Sequence, residues 1–284
     1  MTPERSEPRR ATVRIRADRV EKEVGSGAER TAEKYRVLQR IGDECGFRAP
    51  GVLDVKGGVI SLERLDGIRS VRELYWDAMR RRVELAAVRM LWIRIGEVLA
   101  AIHACSPRPG NSDWIPPVGF AADLVRYGNT VGYDANVCSA PLHADFGFAN
   151  VFFRGAPPWD IVVIDPCADG YSTYDDWVAG PVYVDVGKML LSLEGKVAAY
   201  RQPFLDRRTV GSLQVSFLAG YAAGGARLDP LTAFAYAYAL GRCYFAKRYA
   251  ALRGIAMSTL YNRLWKGNFP WTRKQRQLEI SVEA

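Results

Sequence analysis

The stretch from Leu142 to Gly170, LHADFGFANVFFRGAPPWDIVVIDPCADG, constrains this chain more than any other. Two short apolar runs, Val151–Phe153 and Ile161–Ile164, flank the segment Arg154–Asp160, which contains one Gly and two Pro. Runs of that length on either side of a Gly/Pro turn predict the two strands of a hairpin. His143, Asp145 and Asn150 stand just before the first strand in the spacing H-x-D-x-x-x-x-N, and Asp165 follows the second. Such a hairpin would hold Asn150 and Asp165 side by side.

Those residue types at that spacing suit phosphoryl transfer. Mg²⁺ takes oxygen ligands and commonly binds through one or two protein groups together with substrate phosphates. A separate carboxylate must accept or orient the proton of the attacking hydroxyl. Asp145 is the candidate base, and Asn150 and Asp165 are the candidate metal ligands. The bland alternative is an ordinary hairpin with a few polar surface residues.

The segment resembles the catalytic and metal-binding stretches of the aminoglycoside phosphotransferase and choline-kinase-like family, a branch of the protein-kinase fold. The resemblance implies an α+β chain in two lobes. A small mixed N-lobe would span residues 1–67, and a mainly helical C-lobe carrying the catalytic and acceptor sites would span 68–284. It further implies that ATP and Mg²⁺ are used to move the γ-phosphoryl group to a hydroxyl of a small molecule, such as a sugar, an aminosugar antibiotic or a glycan precursor. The rival from another class is a catalytically inactive, kinase-like nucleotide-binding module.

Upstream, residues 1–10 are charged and Pro-rich and are expected to form a mobile tail. Val13, Ile15, Val20 and Val24 alternate with Arg and Glu as short strands, and Ala32, Tyr35, Leu38 and Ile41 recur at helical spacing. By the resemblance, Lys22 on the second strand contacts the nucleotide phosphates and Glu33 of the next helix orients it, with Glu29 as the alternative partner. The family's Gly-rich phosphate loop has no counterpart: none of the 21 residues before Lys22 is Gly. After strands around Val52–Val55 and Val59–Leu62, the segment Glu63–Gly67 resembles the hinge between lobes. There the backbone of Glu63 and Leu65 would meet the adenine edge, with Leu62 behind it.

Helical spacing continues over Val71–His103, near Phe120–Tyr127, and in Val210–Ala223 and Leu231–Leu252. His103 reads as a packing residue; GPVYVDVGKMLLSL resembles the family's segment in which an Asp opens a helix beneath the catalytic loop, so Asp185 is expected to cap that helix and to bond the loop backbone near His143. Acceptor contacts are expected from Asp113, Trp114, Asp123, Arg126 and Tyr127, and from Tyr171, Tyr174, Asp175 and Asp176. The stripe Phe234, Tyr236, Tyr238, Tyr244 and Tyr249 reads as core rather than a stacking platform, so no nucleic-acid partner is expected.

With 284 residues, 49% of them hydrophobic, the chain can bury a large core. Five Cys without a C-x-x-C pair suggest neither a disulfide framework nor a zinc site, and the N-terminus does not read as a signal peptide. No apolar run is long enough to span a bilayer. A cytoplasmic protein is therefore expected. The net charge of +8 argues against a polycationic acceptor and for a neutral or anionic one. The basic, aromatic tail Tyr261–Gln277 is compatible with weak contact with an anionic membrane surface, or with packing on the large lobe. Oligomeric state leaves no sequence signature here.

Overall fold

The computed structural model describes residues 12–104, 114–117, 119–126, 139–166, 179–194, 206–225 and 228–249. The expected tail 1–10, the Tyr171–Asp176 loop and the segment 261–277 lie outside these residues, as do Asp113 and Tyr127.

The N-terminal part is an antiparallel sheet with one helix on it. Strands β1 (Thr12–Ile15), β2 (Arg19–Glu23), β3 (Val52–Lys56) and β4 (Val59–Glu63) lie in the order β1-β2-β4-β3. Helix α1 (Ala28–Cys45) connects β2 to β3. Its stripe of Ala28, Ala32 and Tyr35 packs against Ile60 and Leu62 of β4, with Val20, Val52 and Val55 at the margin. Two small residues on that stripe let the helix lie close to the sheet. After α1 the chain turns at Gly46, which has a left-handed φ of 72°, as a helix C-terminus commonly requires.

The segment after that turn joins the two parts of the molecule. Arg48 N–H donates to Ile161 O (2.8 Å), and Arg48 O accepts from Val163 N (2.9 Å). The partners belong to the hairpin formed by β7 (Val151–Arg154) and β8 (Asp160–Val163). Its register pairs Val151 with Val163 and Phe153 with Ile161. All four are buried, and this face closes the main core. A short strand, β5 (Arg69–Ser70), adds to the free edge of β7.

The C-terminal part is mainly helical: α2 (Val71–Met79), α3 (Leu85–Ala104), α4 (Phe120–Arg126), α5 (Tyr183–Leu193), α6 (Arg207–Ala223) and α7 (Pro230–Tyr249). A two-stranded ribbon, β6 (Ser139–Pro141) with β9 (Ala179–Pro181), leads into the His143 segment and into α5. Ser70 caps α2 by accepting from Arg72 N, and Asp206 caps α6 by accepting from Arg208 N. Helix α5 is buried along its whole length, which explains why its sequence, YVDVGKMLLSL, is apolar nearly all round. No helix among the described residues is long and apolar enough to cross a membrane.

Helices α3 and α6 meet almost backbone to backbone. A Cβ on Gly220 would lie 1.9 Å from Ile93 O, and one on Gly96 would lie 2.2 Å from Phe217 O. Neither neighbour is a flexible side-chain end, so relief requires the helices to separate and lose packing around them. Gly220→Ala is expected to destabilise the fold by roughly 3 kcal/mol, measured by urea unfolding. An unchanged midpoint would show that the crossing tolerates a methyl group.

Candidate active site

The loop before β7 is held from below by α5. Asp185, in the first turn of that helix, accepts a hydrogen bond from the backbone N–H of His143 (2.7 Å) through Oδ2. It is not the helix cap that its position suggested, because Val182 occupies the N-cap. The same carboxylate oxygen lies 3.3 Å from His103 Nε2, and His103 Nδ1 lies 2.7 Å from the Tyr221 hydroxyl. His103 is thus a buried packing and bonding residue, as its sequence context implied.

His143 spans the gap between the loop and the end of β8. Its Nδ1 accepts from Asp145 N (3.3 Å), and its Nε2 lies 2.8 Å from Ile164 O. Those partners assign the neutral ring with its proton on Nε2, donating to the carbonyl just before Asp165. Complete burial pushes the imidazole below its ordinary pKa, against the opposing pull of the Asp185, Asp145 and Asp165 charges. Ala144, between His143 and Asp145, has a left-handed φ of 63°. A non-glycine residue held there costs on the order of 1–3 kcal/mol and turns its carbonyl away from the course of the loop.

Asp145 and Asn150 are brought together directly. Asn150 Nδ2 donates to Asp145 O (2.9 Å) and to Asp145 Oδ2 (3.0 Å). Both amide hydrogens are thereby committed, which leaves Asn150 Oδ1 as the remaining acceptor of that side chain. The other carboxylate oxygen, Asp145 Oδ1, accepts from Lys188 Nζ of α5 at 3.2 Å. Ile164 N donates to Asn150 O (2.9 Å), extending the hairpin ladder to its mouth and setting Asn150 beside the residue before Asp165.

Asp165 also has a left-handed φ, of 61°. Its Oδ1 is bonded by Lys22 Nζ, and the Tyr35 hydroxyl lies 3.4 Å from the same oxygen. Lys22 also stands 6.0 Å from the centre of the Tyr35 ring, within reach of a cation–π attraction. Burial, followed by the Asp165 charge, raises the Tyr35 hydroxyl pKa, so it stays a neutral donor. Glu33 does not join this group. Its side chain is 58% exposed and pairs with Arg36 at 3.0 Å, and Glu29 is exposed as well. The cause is helix phase: the apolar stripe Ala28–Ala32–Tyr35 turns that face of α1 to the sheet and both Glu to solvent.

The hinge segment is divided. Glu63 N–H donates to Gly51 O (2.7 Å), and its carboxylate lies 3.6 Å from Arg48, so this amide is already engaged. Leu65 makes no backbone hydrogen bond among the described residues, leaving its N–H and C=O open. Sequence reasoning also passed over a feature that the sheet register reveals. Val13 pairs with Lys22, Ile15 with Val20, and Val20 with Leu62, so all these side chains share one face. Helix α1 covers part of that face. Val13 and Ile15 are left 55% and 73% exposed, next to Lys22.

Sequence comparison finds no match to any protein-family model or to any curated protein. Structural comparison does find relatives. A glucosamine kinase in complex with glucosamine, ADP and inorganic phosphate superposes with a TM-score of 0.59 at 18% identity, covering 94% of this chain and 82% of that one. The gentamicin–APH(2″)-IIa complex superposes with a TM-score of 0.50 at 16% identity, covering 92% and 88%. This chain has the protein-kinase-like fold. The family resemblance read from the catalytic segment is borne out at that level, as is the α+β class with a small mixed part followed by a mainly helical one.

Within the kinase-like fold, the residues overlooked from sequence are Tyr35, Lys188 and the pair Val13 and Ile15. Tyr35 was legible in principle, because it lies on the apolar stripe of α1. Trp114, expected to contact an acceptor, is instead buried, with its ring centre 5.1 Å from that of Phe120.

The buried His143 has a stability consequence. The unfolded chain takes up a proton near the ordinary value of 6.5, whereas the folded protein resists it. Stability from this group is full above that value and falls as pH drops below it, by at most about 1.4 kcal/mol per pH unit. Thermal unfolding between about pH 7.5 and pH 5 is expected to show this decline in the wild type and a flatter profile in His143→Gln. Equal slopes would contradict it.

Proposed function

We propose that the chain is a phosphotransferase that uses ATP and Mg²⁺ to phosphorylate a hydroxyl of a small molecule. The observation that supports this most is the convergence of two bonded pairs, Asp145 with Asn150 and Asp165 with Lys22, at the mouth of one hairpin, where the Ile164 N–H beside Asp165 donates to Asn150 O. The proposed boundary between the lobes is residue 67, beside the hinge.

The donor set fits Mg²⁺. Asn150 offers Oδ1, and Asp165 offers Oδ2, for which no partner is present among the described residues. No group of three or more His, Cys, Asp or Glu that could hold a metal occurs among those residues. Two oxygen ligands with the remaining positions filled by water and phosphate is the pattern Mg²⁺ favours. When bound, the ion would neutralise charge on the phosphates.

The protein residues would do the rest. Val13, Ile15 and Val20 offer an apolar roof for a purine, and the open backbone of Leu65 offers hydrogen bonds to its edge. Glu63 would contribute through its carbonyl alone. Lys22 would move from Asp165 to share the phosphates, with Tyr35 in place of Glu33 keeping its ammonium in line. The acceptor oxygen forms a new bond to the γ-phosphorus while the bond to the β,γ-bridging oxygen breaks. ADP leaves with that electron pair, and the hydroxyl proton passes to the Asp145 carboxylate.

The ligands in the two similar structures, glucosamine and gentamicin, are both amino-sugar compounds. The charge of +8 favours a neutral sugar, a singly charged amino sugar or an anionic glycan precursor over a polycationic antibiotic. ADP release from MgATP across a panel of monosaccharides and amino sugars tests the reading. Asp145→Ala and Asp165→Ala are expected to lower turnover by at least about 1000-fold with the thermal midpoint near that of the wild type. Undiminished phosphorylation in either variant would exclude its assigned role.

A further inference from the structure

Lys188 is a cation buried in an otherwise apolar helix, and the mechanism above gives it no part. It is only 7% exposed, in the run VGKMLLSL of α5. An isolated buried ammonium is costly, so its partners account for its presence. Its partners include the carbonyl of Ala144 and Asp145 Oδ1, the latter at 3.2 Å. The left-handed turn at Ala144 aims that carbonyl at Lys188, so the loop takes a strained conformation at the very contact the lysine makes.

The two oxygens of Asp145 are thus held by different elements: Oδ1 by Lys188 of α5, and Oδ2 by Asn150 of the loop. A carboxylate gripped at both ends has its plane fixed, whereas one bond would leave it free to turn about χ2. The loop itself has little room to supply such a group. A side chain added at Gly147, two residues after Asp145, would meet Ser192 Oγ of α5 at 2.9 Å.

We propose that Lys188 is a positioning residue for phosphoryl transfer. It locks the Asp145 carboxylate in the plane that receives the acceptor's proton, and it fixes the Ala144 turn that presents Asp145 to the cleft. This rests on the phosphotransferase reading, with Asp145 as the group that takes the proton.

The test compares Lys188→Met, Lys188→Arg and Asp145→Ala with the wild type, reading ADP release from MgATP across the same panel of monosaccharides and amino sugars. Lys188→Met keeps the length of the side chain without its bonds, and Lys188→Arg keeps a donor near both oxygens. A misplaced base costs on the order of 100-fold in kcat. Lys188→Met is expected to show that loss, with KM for ATP changed less than about twofold, because the lysine lies under the base rather than on the nucleotide. Lys188→Arg is expected to recover at least about tenfold of it. Should Lys188→Met not fold, Lys188→Gln takes its place: a folded Gln variant with kcat down at least about tenfold and KM for ATP unchanged supports positioning, and one with wild-type kcat overturns it.

A Lys188→Met protein with wild-type kcat, alongside an inactive Asp145→Ala, overturns the role of Lys188 and leaves the phosphotransferase reading intact. A loss confined to KM for ATP overturns it too. An active Asp145→Ala, or a wild type that releases no ADP, overturns the reading and this proposal with it.

Discussion

The bond between the Asp185 carboxylate and the His143 amide fixes where everything else in the site stands. It ties the loop to a helix buried on all sides, so the loop inherits the rigidity of the core rather than the mobility usual for a connection between strands. From that anchor the order of parts follows. His143 reaches across to Ile164, Ile164 bonds Asn150, and Asp165 comes next, two residues past the end of β8. One charged residue of α5 is thus linked, through His143, to the backbone just past the end of β8.

Much of this was legible from sequence because the signals were local. The hairpin announced itself by two apolar runs and a Gly/Pro turn, and its register alone brings Asn150 to the level of Ile164. The place of Lys22 on a strand before a helix was legible from the alternation around it. Glu33 misled because the choice of partner depends on the rotation of α1, which follows its small apolar residues and not its charges. Lys188 left almost no trace, being 43 residues from Asp145 in the chain and joined to it only by tertiary packing. The one hint was a lone Lys within an apolar run, which also describes many surface residues that snorkel. Val13 and Ile15 looked like the buried side of a strand, and only the extent of α1 shows that they are uncovered.

Tyr35 illustrates how one position can be filled by different chemistry. A carboxylate beside Lys22 would share its charge permanently, whereas a neutral phenol holds the ammonium through its ring and touches Asp165 through its hydroxyl. The lysine then has Asp165 as its anionic partner among the described residues. That partner is also a proposed metal ligand, so binding of a cation there and release of the lysine would be coupled through one carboxylate.

The bare side of β1 carries a cost of its own. Among the described residues it is the outer strand of its sheet, with unpaired backbone groups along one margin and two branched apolar side chains in water. Such a margin is a template for a strand from another molecule. A ligand lying under Val13 and Ile15 would cover the apolar half of that template. Occupation of that face by a ligand and protection of this edge from strand pairing would then be one event.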